Sequence, residues 1–261
     1  MKINRRAFVS GLLATPILGS AQAAPILSAS NNGLTAAVAK RGNAWLEISE
    51  SGFDANFATL RTAIGSNVKI CAVIKGDAYG HGAALLIKSI IKNKAECIGF
   101  TSTEEARIAR TLGFRGRLMR LRLATPEEIE AGLRYDIEEL VGNLDYAQDM
   151  ARIAHAHRKI VKYHLALNSA GMSRNDLEVG SPDGMEEALK ILQLSDLHPV
   201  GIMTHYPVDD EEDVRHGLAV FNAQSSAIIA RGGLDASKLI LHTANSFATI
   251  KVFTLKRSMI C

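Results

Sequence analysis

Short apolar runs alternate with helical patterns along most of this chain, and this alternation limits the fold more than any other feature. Seven runs lie at residues 68–75, 97–101, 118–123, 140–141, 161–167, 200–205 and 239–242. Amphipathic spacing predicts helices at 53–64, 83–91, 103–112, 144–156, 184–194 and 214–230. Thr125 followed by Pro126 predicts the start of one more helix, and alternation at 44–48 predicts a short leading strand.

Regular alternation of strands and helices implies parallel pairing. We therefore predict an α/β protein with a (β/α)8 TIM-type barrel. A doubly wound open sheet is the alternative. No Gly-x-Gly-x-x-Gly sequence follows the first run, so the dinucleotide-binding version of that alternative has little support.

The charge balance of the chain gives no reason to expect a nucleic-acid partner. The net charge is +3, and the chain has 47% hydrophobic residues, which suffices for a sizeable core. Six arginines fall close together, and no regular pattern of aromatic residues accompanies them, so we interpret them as a solvated face. They are Arg107, Arg110, Arg115, Arg117, Arg120 and Arg122. His155 and His157 are two apart on a predicted helix and do not share a face, so we expect no metal site there.

The N-terminal residues have the three regions of a secretory signal peptide. A basic start is followed by a broken apolar stretch and by Ala21-Gln22-Ala23, a small-x-small cleavage site. We predict a signal peptide at 1–23, a flexible leader at 24–43, and a periplasmic protein that has no membrane anchor after cleavage. Arg5-Arg6 is compatible with the twin-arginine route or with a general secretory signal, and a disordered arm is the structural alternative.

Export affects how the cysteines are interpreted. Cys71 and Cys97 lie in neighbouring predicted strands, and either a disulfide or two buried thiols fits that placement. The third cysteine, Cys261, is the last residue and has no predicted partner.

Reactive side chains follow several of the apolar runs. Lys75 and Tyr79 come after the first run, Asn168 to Arg174 after the fifth, His205 within the end of the sixth, and Asn245-Ser246 after the seventh. In a barrel these strand ends share one rim, where active sites form. A lysine, a ring-stacking imidazole and a phosphate-binding pair on one rim predict a pyridoxal 5′-phosphate pocket. Taken alone, Lys75 is more typical of a buried strand that ends at a solvated lysine.

The segment Ala72-Val73-Ile74-Lys75-Gly76-Asp77-Ala78-Tyr79-Gly80-His81-Gly82 resembles the cofactor-lysine motif of the alanine racemase family. That family usually has alanine where this chain has Gly76. Three further segments match in the family's order, and the resemblance is closest to periplasmic broad-specificity amino-acid racemases. They are 168–174, Thr204-His205-Tyr206-Pro207 and His242-Thr243-Ala244-Asn245-Ser246. The resemblance covers about residues 40–250, and we assign the barrel domain to 44–250.

The resemblance implies a role for each of these residues. Lys75 would bind pyridoxal 5′-phosphate as a Schiff base and act as the base on one face of an amino-acid substrate. Tyr79 and Ser246, with Asn245 beside it, would contact the phosphate. His205 would lie against the pyridine ring, and Arg174 would reach the phenolic oxygen of the cofactor. The implied reaction is the racemisation of L-alanine to D-alanine, with larger or basic amino acids as further substrates.

Racemisation needs a second acid–base group on the opposite face of the substrate. In the family that group is a tyrosine of the C-terminal β domain, supplied by the partner subunit of a homodimer. Residues 251–261 look unlike the family and show no strand-8 pattern, so we interpret them as an aberrant tail left by a frameshift or premature stop. We therefore expect an incomplete barrel, without strand 8 and the C-terminal β domain, and impaired turnover. A non-catalytic cofactor-binding module and a non-functional fragment are the alternatives.

Overall fold

A computed structural model of the chain describes residues 46–171, 177–206, 209–252 and 258–260. The predicted signal peptide and leader lie outside these residues. Within them, helices and strands alternate as the sequence predicts. In chain order the elements are α1 (Glu50–Ile64), β1 (Lys69–Val73), α2 (Ala83–Lys92), β2 (Cys97–Phe100), α3 (Thr103–Thr111), β3 (Arg117–Arg120), α4 (Pro126–Gly132), β4 (Ile137–Val141), α5 (Leu144–Ala156), β5 (Val161–Ala166), α6 (Pro182–Leu192), β6 (Leu197–Met203), α7 (Glu211–Arg231), β7 (Ile240–Ala244), α8 (Ser246–Val252) and β8 (Ser258–Ile260).

The strands pair in parallel in the order β1 to β8 and close into a barrel, which confirms the predicted TIM-type fold. The helices lie outside the barrel, and two large clusters of buried apolar residues fill the space between helices and strands. Local sequence sets the helix starts. Thr125, for example, accepts a hydrogen bond from the Glu128 amide, and Glu128 reaches back to the Thr125 amide in a capping box.

Two predictions of secondary structure need correction. We expected no eighth strand, but Ser258–Ile260 pairs with β1 through Lys69↔Met259 and with β7 through Leu241↔Ser258. Three residues are too few to show an alternating pattern, yet their backbone covers the edges of β1 and β7 that an open barrel would expose. The predicted strand at 44–48 is the second error, because the described part of that segment is irregular and leads into α1.

A chain of polar contacts crosses the inside of the barrel. The Arg117 guanidinium donates to Glu138 (2.7 Å), and the Glu138 carboxylate bonds Nε2 of His164 (2.8 Å). Nδ1 of His164 in turn lies 2.9 Å from Nε2 of His242. His164 is in β5 and His242 in β7, so their contact passes over the inner side of β6.

Burial and charge determine which of these buried side chains carry protons. Burial raises the pKa of Glu138, but the hydrogen bond from His164 and the charge and hydrogen bond of Arg117 outweigh it, so the net shift is downward. Burial lowers the pKa of His164 because it removes water from the imidazolium form, and the charge of Arg117 lowers it further; the hydrogen bond and charge of Glu138 raise it but do not outweigh burial. With Glu138 ionised and His164 neutral, His164 donates from Nε2, and its Nδ1 accepts from Nε2–H of His242.

Gly201 makes room for this pair of imidazoles. A Cβ atom added to Gly201 would lie 2.2 Å from Nδ1 of His164 and 2.7 Å from the carbonyl oxygen of Ile240. Both distances are far below van der Waals contact, and one of the two atoms belongs to the backbone. A side chain at this position is therefore incompatible with the buried histidines.

The arginine segment is not the solvated face that we predicted. Arg120 is fully buried and donates from Nε to Glu139 (2.8 Å), and Arg117 points into the barrel to Glu138. Arg110 donates to the carbonyl oxygens of Phe114 and Gly116. Buried carboxylates and carbonyl groups need donors, and these arginines supply them, which spacing along the sequence does not reveal. Arg107 and Arg115 are exposed, as expected.

The two barrel cysteines are thiols in this structure, without a disulfide bond, which corresponds to the second of the two predicted states. Cys71 and Cys97 are directly paired residues of β1 and β2, and their sulfur atoms lie 3.3 Å apart. Cys261 lies outside the described residues. Among the described helices, none is both long enough and apolar enough to cross a bilayer.

We predict that Gly201→Ala lowers the free energy of unfolding by about 1–3 kcal/mol or more, since it forces His164 or the β7 backbone to move. Gly180→Ala is the matched control, because its added Cβ would meet only Gln224 at 3.7 Å, an ordinary contact. Denaturant unfolding of both variants measures the effect. Equal stability of the two variants would contradict the packing argument.

Candidate functional site

The carboxyl end of β1 continues into a left-handed turn. Lys75 comes two residues after the strand, and the next four residues have positive φ: Gly76 (63°), Asp77 (54°), Ala78 (55°) and Tyr79 (57°). Gly76 adopts this region without steric penalty. The three non-glycine residues each carry a penalty of roughly 1–2 kcal/mol, so the surrounding structure has to hold the turn in place.

Side chains within the motif close the turn. The Asp77 carboxylate accepts a hydrogen bond from the amide of Ala83 (2.7 Å), which ties the turn to the start of α2. Nδ1 of His81 lies 2.7 Å from the carbonyl oxygen of Ala78. Because a carbonyl oxygen only accepts, Nδ1 carries the proton in this contact. The side chains of Asp77 and His81 thus stabilise the turn.

A side chain from the next unit of the barrel also supports the turn. Oε1 of Glu105 accepts the amide of Asp77 (3.0 Å). Oε2 of Glu105 accepts the amides of Thr101 (2.9 Å) and Ser102 (3.0 Å), and the Thr101 hydroxyl lies 3.3 Å away. Burial raises the pKa of Glu105, but these hydrogen bonds outweigh it and the net shift is downward. Glu105 therefore links β1, β2 and α3 as a buried carboxylate.

Lys75 lies near the Tyr79 ring, and its charge acts on the imidazole of His205. Its Nζ atom is 5.7 Å from the centroid of the Tyr79 ring, which is 46% exposed and so accessible to a ligand. The pKa of the His205 imidazole is lowered, first by partial desolvation at the barrel rim and second by the charge of Lys75. His205 is nevertheless exposed at the surface, so a ligand can reach its ring. The structure thus brings Lys75, Tyr79 and His205 together, from β1 and β6.

Asn245 and Ser246 follow β7 at the same rim. The Asn245 amide donates to the carbonyl oxygen of Tyr206 (2.9 Å), and its oxygen accepts the amide of Ala248 (2.8 Å). Asn245 therefore joins the loop after β6 to the first turn of α8. Ser246 is the first residue of α8 and is partly exposed. Parallel pairing places this helix start on the rim that carries Lys75.

Not every predicted site residue can be placed. Arg174 lies outside the described residues. Sequence reasoning also missed Glu105, although Ser102-x-x-Glu105 has the spacing of a capping box and could have signalled a buried carboxylate here. Within the described part of the chain, no group of three or more His, Cys, Asp or Glu side chains is arranged to hold a metal ion.

The fold and the site place this protein in the class of (β/α)8-barrel proteins that have a lysine and an imidazole at the rim formed by the carboxyl ends of the strands. The chain matches the family described as "Alanine racemase, N-terminal domain" over residues 48–260, and it belongs to that family. The match includes most of the segment that we interpreted from sequence as an aberrant tail.

Curated relatives of this chain include amino-acid racemases. It is 49% identical over 246 residues to a broad-specificity amino-acid racemase of Aeromonas hydrophila subsp. hydrophila, covering 92% of this chain and 60% of the relative. It is 45% identical to a broad-specificity amino-acid racemase of Pseudomonas putida (98% of this chain, 63% of the relative). It is 47% identical to a lysine racemase of Proteus mirabilis (80% and 52%). The chain thus spans about 60% of the length of the first two relatives.

Solved structures agree with the fold. An alanine racemase of Clostridium difficile 630 in complex with cycloserine aligns with a TM-score of 0.72 at 25% identity, over 80% of this chain and 56% of the other. An alanine racemase of Bacillus anthracis with bound L-Ala-P aligns with a TM-score of 0.70 at 24% identity, over 79% and 53%.

We predict that Lys75→Met raises the pKa of His205, because it removes a positive charge that disfavours the imidazolium form. An NMR titration of the His205 ring protons, assigned with His205→Gln, measures the change. Lys159→Met removes an exposed lysine of the loop before β5 and serves as the control. An unchanged or lower pKa of His205 in Lys75→Met would show that the two charges do not interact.

Proposed function

We propose that this protein is a pyridoxal 5′-phosphate-dependent amino-acid racemase that acts on alanine and on larger or basic amino acids. The observation that carries the proposal is Lys75, which follows β1 and a left-handed turn to a rim position near the Tyr79 ring, where its charge acts on His205. The names of the relatives support an amino-acid substrate and a broad substrate range. A homodimer is part of the proposal, by analogy with the family.

The donor set suits this cofactor. Lys75 offers a side-chain amine, which condenses reversibly with an aldehyde to a Schiff base. The lowered pKa of His205 favours a neutral, planar ring that can lie against an aromatic heterocycle. Ser246, the first residue of α8, offers a hydroxyl donor suited to a phosphate group. Tyr79 offers a further hydroxyl, and Arg174 is proposed as the cation near the phenolic oxygen.

When bound, the cofactor supplies an electron sink that acidifies the α-hydrogen of an amino acid. The residues of this chain do the rest. Lys75 holds and releases the proton on one face of the α-carbon. The turn at 76–79 fixes the direction of Lys75, and Asn245 fixes the loop after β6 against α8. A proton carrier on the opposite face completes inversion, and we assign it, with the family, to a tyrosine of a partner subunit.

Incubation of the protein with pyridoxal 5′-phosphate and L-alanine in D2O tests the proposal. We expect a visible absorbance band of lysine-bound cofactor, deuterium at the α-carbon, and D-alanine; L-lysine serves as the second substrate. Lys75→Ala should lose the band and both products, since no other amine takes its place. Lys159→Ala is the control and should keep them.

The products separate the candidate functions. D-alanine supports a complete racemase. Deuterated L-alanine without D-alanine would show that Lys75 exchanges the proton on its own face and that the opposing group is not provided, as expected for an impaired copy. A band without exchange would indicate a cofactor-binding module. Absence of the band would overturn the proposal.

We also propose export to the periplasm and a disulfide between Cys71 and Cys97 in the exported protein. Their sulfur atoms need to approach by little more than 1 Å to reach bonding distance, about 2.05 Å. The bond would add about 3–4 kcal/mol to the free energy of unfolding in the chain-entropy model.

Protein isolated from the periplasm should lack the signal peptide, have a mass lower by two hydrogens than its reduced form, and unfold at lower denaturant concentration after reduction. Cys71→Ser should show neither effect of reduction. A mass equal to that of the dithiol would contradict the proposed bond.

A further inference from the structure

We propose that Glu105 is a positioning residue for Lys75: its carboxylate holds the left-handed turn at 76–79 and so fixes the direction in which the lysine leaves β1. This inference rests on the proposed function only where it concerns the cofactor. The role of Glu105 in the turn stands on the geometry of the chain alone.

Glu105 is placed to do this because it belongs to a different unit of the barrel. It lies in the first turn of α3, after β2, whereas the turn that it contacts follows β1. Only 7% of Glu105 is exposed. The contact therefore does not depend on an exposed side chain. Through its hydrogen bonds with Thr101 and Ser102, Glu105 also connects the turn to the end of β2.

The two oxygens of Glu105 have separate partners. Oε1 accepts the amide of Asp77, and Oε2 accepts three donors from Thr101 and Ser102. A carboxylate can accept on both oxygens, whereas a glutamine amide accepts on one and donates on the other. In Glu105→Gln the carbonyl oxygen keeps the larger donor set, so the amino group faces the Asp77 amide. The substitution therefore removes the contact to the turn and leaves the cap of α3 in place.

The backbone on both sides of Lys75 is held by hydrogen bonds of the turn. The amide of Ala78 donates to the carbonyl oxygen of Ile74 (2.7 Å), so Lys75 lies inside the loop that this bond closes. Asp77, held by Glu105, is the residue between Gly76 and Ala78 in the same loop. Release of the Asp77 amide allows Gly76 and Asp77 to leave the positive-φ region, and Lys75 then samples other directions.

The chain provides a matched control in the next unit. Glu128 occupies the same capping-box position at the start of α4 that Glu105 occupies at the start of α3. Its carboxylate bonds Thr125 and Arg122. Glu128→Gln thus tests the general effect of an amide in a capping box without touching the turn at 76–79.

Amide hydrogen exchange of the protein without cofactor is the first measurement. Glu105→Gln should speed exchange of the Asp77 amide, followed in peptides that cover residues 74–83, by about 10-fold to 100-fold, the loss expected for a hydrogen bond to a charged group. Exchange elsewhere and the unfolding midpoint should match those of Glu128→Gln. Unchanged exchange at 74–83, or an equal increase throughout the barrel, would overturn the proposal.

The second measurement is the affinity for pyridoxal 5′-phosphate, read from the absorbance of the lysine-bound form. We expect weaker binding in Glu105→Gln than in Glu128→Gln, and equal affinity would overturn the link to Lys75. If the unmodified protein shows no such band, the proposed function fails, and the exchange data still decide the role of Glu105. If Glu105→Gln does not fold, Glu105→Asp keeps the charge but is one methylene too short to reach Asp77, and the same outcomes apply.

Discussion

The backbone pairing of β8 with both β1 and β7 is the constraint on which the site depends. Parallel neighbours are about 4.8 Å apart, so one intervening strand leaves the ends of β1 and β7 about 10 Å apart. Lys75 follows one of these ends and Asn245 the other, and a ligand of ordinary size can span that gap. Without this pairing, β1 and β7 would be connected only through the five strands β2 to β6. Closure by these three residues therefore places Lys75 and the start of α8 on nearby parts of one rim.

The interior of the barrel shows a second constraint, since every buried polar group needs a partner. Arg117, Glu138, His164 and His242 satisfy one another in a single row, and Gly201 leaves the space that the imidazoles occupy. Burial favours the neutral form of His164, which bonds the Glu138 carboxylate. The row thereby connects four strands through side chains, in addition to their backbone ladders. His242 stands three residues before Asn245, which ties this interior row to the strand that carries part of the rim.

The sequence predicts the helices and the rim residues better than it predicts contacts between distant parts of the chain. Amphipathic spacing located the helices well, and 144–156 agrees with α5 at both ends, because periodicity reports which face is buried. Lys75, Tyr79 and His205 were predicted at one rim because a parallel barrel places strand ends there. The missed features arise from pairing across the chain. Glu105 contacts Asp77 from another unit, Arg120 meets Glu139 inside the protein, and Ser258–Ile260 becomes a strand only through its neighbours. Local sequence carries little information on such contacts.

The turn after β1 depends both on its local sequence and on a contact with a distant residue. Its positive φ values are unfavourable for Asp77, Ala78 and Tyr79, so the sequence motif alone does not guarantee the conformation. The hydrogen bonds to Glu105 compensate for this, and they come from N–H and O–H groups rather than from a lysine. A carboxylate paired directly with an amine favours the ammonium form, which is not the nucleophile. By holding the backbone amide of Asp77, Glu105 orients the lysine without forming an ion pair with it. An amine that is fixed in direction and has rings as neighbours is well suited to reversible covalent binding of an aldehyde.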